Sequence, residues 1–162
     1  MKDTHNISDY DTDRFHLTDR QAHCLGVMNE FAIGKYLGID MMHTKPDVWV
    51  PFHVKEHFSL YKNQADILTN IECRRVNNPS NPIAIRQKDL NLNALVVQGY
   101  IDFSLINGEF QVGNQVELLG WSDVSADWSE AQTPSWSKTG TSRVVYDKRP
   151  MSDFPMPMVG AA

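Results

Sequence analysis

With 162 residues, of which 41% are hydrophobic and 10% aromatic, the chain has the length and the apolar content of one domain with a single core. Its net charge of −5 excludes a global positive field that would attract a polyanion from a distance, so contact with nucleic acid requires a local basic patch. No run of about 18 apolar residues is present, and the polar, acidic amino terminus lacks the pattern of a signal peptide. We therefore expect a cytoplasmic protein that does not enter a membrane.

The first predicted element is a helix over residues 19–37. Thr18 and Gln21 have the Thr-x-x-Gln spacing of a capping box, and Gly38 supplies a stop. Between them, apolar residues recur at three- and four-residue intervals, at Leu25, Met28, Ala32 and Tyr36. Glu30 falls on the flank of this apolar stripe, so its carboxylate is a candidate for facing an interior site.

Extended segments dominate the rest of the chain. The strongest is the near-continuous apolar run over residues 95–103, which is typical of a central strand buried on both faces. Residues 66–67 and 71–76 predict a tight strand pair around Thr69 and Asn70. Further extended pieces are predicted at 47–54, which Pro51 interrupts, and at 83–86, 116–121 and 142–146, with a short helix at 125–131. The order predicts a single α/β domain with a mixed sheet flanked by helices.

Composition divides the chain into three parts. Residues 1–17 are rich in aspartate without apolar periodicity and are expected to form a flexible acidic leader. Residues 18–148 form the predicted domain. Residues 149–162, rich in proline and methionine, are expected to form an extended tail that docks on the body or joins neighbouring subunits.

Three carboxylates are the candidates for a metal site: Glu30, Asp66 and Glu72. Magnesium prefers hard oxygen ligands and retains several waters, so two or three carboxylates beside a substrate phosphate suffice. Arg74 lies two residues after Glu72, so on a strand both side chains project from the same face. A guanidinium there can offset charge that develops on a phosphate. The alternative is a hairpin on which Asp66 and Glu72 are exposed and Arg74 pairs with one of them.

Four blocks in order, residues 29–39, 65–75, 89–100 and 116–122, resemble those of small phage-encoded proteins of the PD-(D/E)XK nuclease superfamily. In that superfamily a helix with a glutamate precedes a strand with an aspartate. A strand with a Glu-x-Lys signature follows, and a strand ending in Gly-Trp closes the sheet. The resemblance covers about two thirds of the chain and implies a restriction-endonuclease-like fold.

The resemblance also implies roles for single residues. Glu30 corresponds to the helix glutamate, Asp66 to the metal-binding aspartate and Glu72 to the signature glutamate, with Mg²⁺ or Mn²⁺ as the expected cofactor. Arg74 stands in place of the signature lysine. Because a guanidinium stays protonated, it can stabilise charge but is a poor substitute for an ammonium that helps to deprotonate water. Lys88 and Lys62 are the candidates to supply that ammonium from elsewhere in the chain.

DNA is the expected partner, and the local patch that would bind it consists of Arg74, Arg75, Arg86 and Lys88. The alternative for these residues is a solvated loop between two strands. The expected function is metal-dependent hydrolysis of DNA phosphodiesters by Glu72, Arg74 and Lys88. The alternative is a relative without catalysis that serves as a nucleic-acid-binding or structural module, with a homo-oligomer formed through the tail.

A rival motif is His53-Val-Lys-Glu56-His57, which fits the H-x-x-E-H form of inverted zinc peptidases. Its three fixed positions arise readily by chance, and Pro51 stands immediately upstream. Ordinary surface or partly buried histidines are the alternative interpretation of these residues.

Overall fold

The structure is a computed structural model that describes residues 17–44, 64–107 and 109–158. Four α-helices are present in this part of the chain: α1 (Asp19–Tyr36), α2 (Met41–Thr44), α3 (Gln87–Asn91) and α4 (Val124–Asp127). The strands are β1 (Ile71–Val76), β2 (Ile83–Arg86), β3 (Leu95–Ile106), β4 (Glu109–Asp123) and β5 (Ser142–Val145), and a 3₁₀ helix spans Met151–Asp153.

Helix α1 begins as its sequence predicts. The Thr18 side chain accepts a hydrogen bond from the Gln21 backbone N–H, and the Gln21 side chain accepts one from the Thr18 N–H, which completes the capping box. Leu37 forms the C-cap, and Gly38 follows with a φ of +73°. Glycine adopts this left-handed conformation at low cost, so the predicted stop is confirmed.

Two sheets form the body. In the larger one the order is β1-β3-β4, with β3 parallel to β1 and antiparallel to β4. β3 is therefore the central strand, as its apolar sequence predicts. The smaller sheet pairs β2 with β5 in antiparallel fashion. The fold is thus a single compact α/β domain with a small mixed sheet flanked by helices, and none of its described helices is long and apolar enough to cross a membrane.

The two faces of β1 meet different layers of the protein. Ile71 and Cys73 lie in a hydrophobic cluster with Ile33 and Leu37 of α1, so the helix covers this face. Glu72 and Arg74 alternate with them and project from the opposite face. Val96, the register partner of Glu72 on β3, accordingly packs with Ile83 and Ile85 of β2 and with β5.

The carboxyl-terminal segment begins with docked structure. Arg149 exchanges two backbone hydrogen bonds with Trp121 of β4, at 3.0 and 2.9 Å. The Trp121 indole donates to the Pro150 carbonyl at 3.0 Å, and the Phe154 ring packs edge-on against it at a centroid distance of 5.3 Å. Residues 149–154 therefore belong to the folded body, whereas Met158 is fully exposed. At the other end, Leu17 is buried in the core although it was expected in the leader.

Candidate functional site

The candidate site is built at the start of β1. Ile67 and Ile71 exchange backbone hydrogen bonds at 2.9 and 3.1 Å, which closes a turn over residues 68–70 and fixes the short interval between Asp66 and Glu72. Oδ2 of Asp66 accepts the backbone N–H of Cys73 at 2.8 Å. This bond holds the half-buried Asp66 carboxylate against β1 at Cys73, the residue next to Glu72.

Glu72 is the centre of a charged cluster. Its side chain is 2% exposed, and its two carboxylate oxygens contact different cations. Oε2 accepts from Nη1 of Arg74 at 2.9 Å, and Oε1 lies 2.9 Å from Nζ of Lys88. Arg74 comes from the same strand, whereas Lys88 is supplied by α3. The structure therefore brings together three predicted site residues: Glu72, Arg74 and Lys88.

Asp89 completes this cluster and was not among the predicted site residues. It is fully buried, and both of its oxygens accept from Nη2 of Arg74 at 2.8 Å. Oδ2 also accepts the backbone N–H of Arg86 at 2.8 Å, which caps the start of α3. The signal in the sequence is the acidic residue three positions after Arg86, where a side chain reaches back to the first free N–H of a helix. We call Glu72, Arg74, Lys88 and Asp89 the ionic cluster.

The protonation of the ionic cluster follows from these contacts. Burial acts to raise the pKa of Glu72, but the positive charges of Arg74 and Lys88 outweigh it and hold the pKa below its ordinary value. Burial likewise acts to lower the pKa of Arg74, and the charges of Asp89, Glu72 and Asp66 together raise it above its ordinary value. Glu72 is therefore an ionised carboxylate and Arg74 a permanent cation, which makes Glu72 a weak base.

The three predicted metal ligands do not assemble in this arrangement. Glu30 lies on α1, the helix that covers one face of β1, whereas Glu72 projects from the other face. Both Glu72 oxygens contact cations, and one Asp66 oxygen accepts a backbone N–H. Across the described ranges, no group of three or more His, Cys, Asp or Glu side chains is placed to hold a metal ion. The residues as arranged therefore do not fit Mg²⁺ or Mn²⁺.

The predicted basic patch is divided between two faces. Arg75 projects from the α1 face of β1 and donates to the Asn77 side chain. Arg74 is 16% exposed, and its Nη1 and Nη2 groups donate to protein oxygens. Arg86 is exposed, and Lys88 is 33% exposed at the solvent side of the ionic cluster. Lys88 and Arg86 are therefore better placed to meet a phosphate than Arg74 or Arg75.

The rival motif lies outside the described residues, and so does the interrupted strand predicted at 47–54. Residues 45–63 are not described, and they include His53, Glu56, His57 and Lys62.

Comparisons with protein-family models, with curated proteins and with solved structures found no match for this chain. The assignment of function rests on the residues themselves.

Proposed function

We propose that this chain is a nuclease-like protein that binds a nucleic-acid phosphodiester at the ionic cluster and hydrolyses it. The observation that carries the proposal is the contact of 2.9 Å between Nζ of Lys88 and Oε1 of Glu72. The Glu-x-Arg sequence of β1 lacks the lysine of the superfamily signature. Lys88 of α3 places an ammonium beside the same glutamate, and in this proposal it takes the place of the signature lysine.

The four side chains have distinct roles in this proposal. Arg74 joins Glu72 to Asp89 and fixes both carboxylates, because its planar guanidinium donates in fixed directions. Glu72 holds the Lys88 ammonium beside it by charge, with Oε1 2.9 Å from Nζ. Lys88, the more exposed cation, binds a non-bridging phosphate oxygen and stabilises the charge that develops there as water attacks phosphorus.

Water must lose a proton in this reaction, and Glu72 is poorly suited to accept it because its pKa is lowered. Asp66 is the other carboxylate at this edge of β1, where it accepts the Cys73 N–H, and its negative charge contributes to the raised pKa of Arg74. We assign to Asp66 the positioning of the attacking water and the acceptance of its proton. As the new bond from water to phosphorus forms, the bond from phosphorus to the leaving oxygen breaks, and that oxygen takes up a proton from solvent. Mg²⁺ or Mn²⁺ is the cofactor expected from the resemblance, but the described carboxylates as arranged do not fit either ion, so no step of this proposal uses a metal, and the assay compares both ions with EDTA.

A second candidate function is nucleic-acid binding without hydrolysis. It is favoured by the contacts of both Glu72 oxygens with cations, because a carboxylate whose charge is balanced in this way can have a purely structural role. In this case Lys88 and Arg86 bind phosphate, and the carboxylates only hold the cations in place.

The test is cleavage of labelled DNA and RNA in single-stranded, nicked, blunt and supercoiled forms, with magnesium, manganese or EDTA. Glu72→Gln and Lys88→Ala are the site variants, and Glu117→Gln, a change at an exposed β4 residue, is the matched control. We expect cleavage by the wild type and the control and its loss in both site variants. Binding without cleavage in every metal would support the second candidate, and neither binding nor cleavage by the folded protein would refute both.

A further inference from the structure

Leu68 combines two features that each reduce stability. Its φ is +52°, and the other non-glycine residues with positive φ in the described part of the chain are Asn93 and Asn107. Asparagine tolerates this conformation because its short polar side chain bonds locally, whereas leucine gains no such bond. The Leu68 side chain is also 52% exposed and belongs to none of the hydrophobic clusters of the described residues. Glycine or asparagine would be more stable at this position.

Leu68 lies at the edge of the candidate site. It opens the turn between Ile67 and Ile71, two residues after Asp66 and four before Glu72. Two residues of chain span at most about 7 Å, so the Cα atom of this exposed leucine lies within about 7 Å of the Asp66 Cα atom. Non-glycine residues held in the left-handed conformation cluster at active sites and at positions that contact ligands.

We propose that Leu68 contacts the substrate by packing against a nucleobase next to the phosphodiester bound by Lys88; this inference rests on the proposed function. An isobutyl side chain has no hydrogen-bonding group for a phosphate, but it matches the apolar face of a base. Leucine side chains are used in this way where proteins insert between bases. An unpaired base offers its face at the lowest cost, so the preferred substrate is a single strand, a frayed end or a flap.

The test separates stability from binding. Leu68→Gly and Leu68→Asn relieve the backbone, Leu68→Met retains the apolar contact, and Asn93→Gly is the control at a positive φ in another turn. Binding is measured by anisotropy with single-stranded and duplex oligonucleotides, in EDTA and in calcium, and a 2-aminopurine base reports stacking. For Leu68→Gly we expect a melting temperature higher by about 2–4 °C, single-strand affinity lower by about tenfold and less 2-aminopurine quenching.

The same experiment distinguishes the two levels of inference. Wild-type binding that is unchanged in Leu68→Gly and Leu68→Asn would overturn the role of Leu68 and leave the proposed function intact. Loss of stability and affinity together in both variants would show a structural role and would also overturn it. A wild-type protein that binds no oligonucleotide would refute the proposed function itself. Retained affinity in Leu68→Met and Asn93→Gly is the result expected if the contact is apolar and local.

Discussion

Two arginines of this protein bind carboxylates in different settings. Arg74 joins Glu72 and Asp89, which are 2% and 0% exposed, inside the ionic cluster. Arg149 joins Asp127, which is 17% exposed, and stacks over the Trp121 ring at 5.2 Å from the ring centroid. Glu72 and Asp89 are therefore buried, and the ionic cluster reaches solvent through Lys88, which is 33% exposed. The Arg149–Asp127 pair holds the docked carboxyl-terminal segment against β4.

This contrast separates a candidate site from a structural clamp. A buried ion pair is costly to desolvate and gives little net stability. Lys88 balances the charge of the second carboxylate in the ionic cluster, and it is the cation of that cluster that our proposal assigns to phosphate. The Asp127–Arg149 pair includes no such cation in the described residues, and its aromatic neighbours, Trp121 and Phe154, provide apolar burial.

Removal of each arginine tests this contrast most strongly. Arg74→Ala removes the guanidinium that balances the buried Asp89 charge and leaves that carboxylate only the Arg86 N–H, so we expect a loss of about 3–5 kcal/mol in the free energy of unfolding. Arg149→Ala removes a more exposed pair and a cation–π contact, and we expect about 1–2 kcal/mol. Urea unfolding measures both. Equal losses would show that burial does not distinguish the two sets.

Phe154 tests whether the docked segment is part of the core. Its ring is 5% exposed against Trp121, so Phe154→Ala is expected to cost about 3 kcal/mol in the free energy of unfolding. Met158→Ala, at a side chain that is 99% exposed, is the control and should change it by less than about 0.5 kcal/mol. If thermal unfolding shows the same small effect for both, the segment contributes nothing to the body.

Lys88 is expected to affect activity more than stability. Lys88→Ala should reduce the cleavage rate about 100-fold, because it removes the cation proposed to face the phosphate. Its effect on unfolding should stay near 1 kcal/mol, since Arg74 still holds Glu72. Lys148→Ala, at a lysine that donates to the Pro79 carbonyl, is the matched control and should cleave like the wild type. A stability loss of several kcal/mol in Lys88→Ala, with cleavage unaffected in the fraction that remains folded, would assign Lys88 a purely structural role.

The dependence of stability on acid pH compares the carboxylates of the two sets, Glu72 and Asp127. The pKa values of Glu72 and Asp127 are both lowered in the folded state, so each ionised carboxylate stabilises the fold above its unfolded pKa. That contribution is lost as the pH falls from about 4.5 through the lower folded values, at no more than about 1.4 kcal/mol per pH unit for each group. Glu72→Gln and Asp127→Asn should each unfold with a shallower dependence on pH in this range. If the pH dependence of unfolding is unchanged in either variant, the pKa of the carboxyl group that it replaces is not lowered in the folded protein.

Local features of the sequence predicted several elements correctly. The capping box of Thr18 and Gln21, the stop at Gly38 and the apolar run of β3 each act within one element, so periodicity and caps determine them. The proximity of Glu72 and Arg74 also follows from alternation along one strand. The strand predicted at 142–146 is observed as β5, but its pairing with β2 was not predictable, because it joins residues separated by more than 50 positions.

The sequence alone determined the charge balance, the start and end of α1, the central strand and the face that Glu72 shares with Arg74. Tertiary structure decided that Lys88 reaches Glu72, that Asp89 holds Arg74, that Glu30 lies on a helix covering the other face, and that residues 149–154 dock on Trp121. The physical reason is range. Backbone hydrogen bonds and side-chain periodicity act over a few residues, whereas contacts between distant elements depend on how the layers pack, which local patterns do not specify.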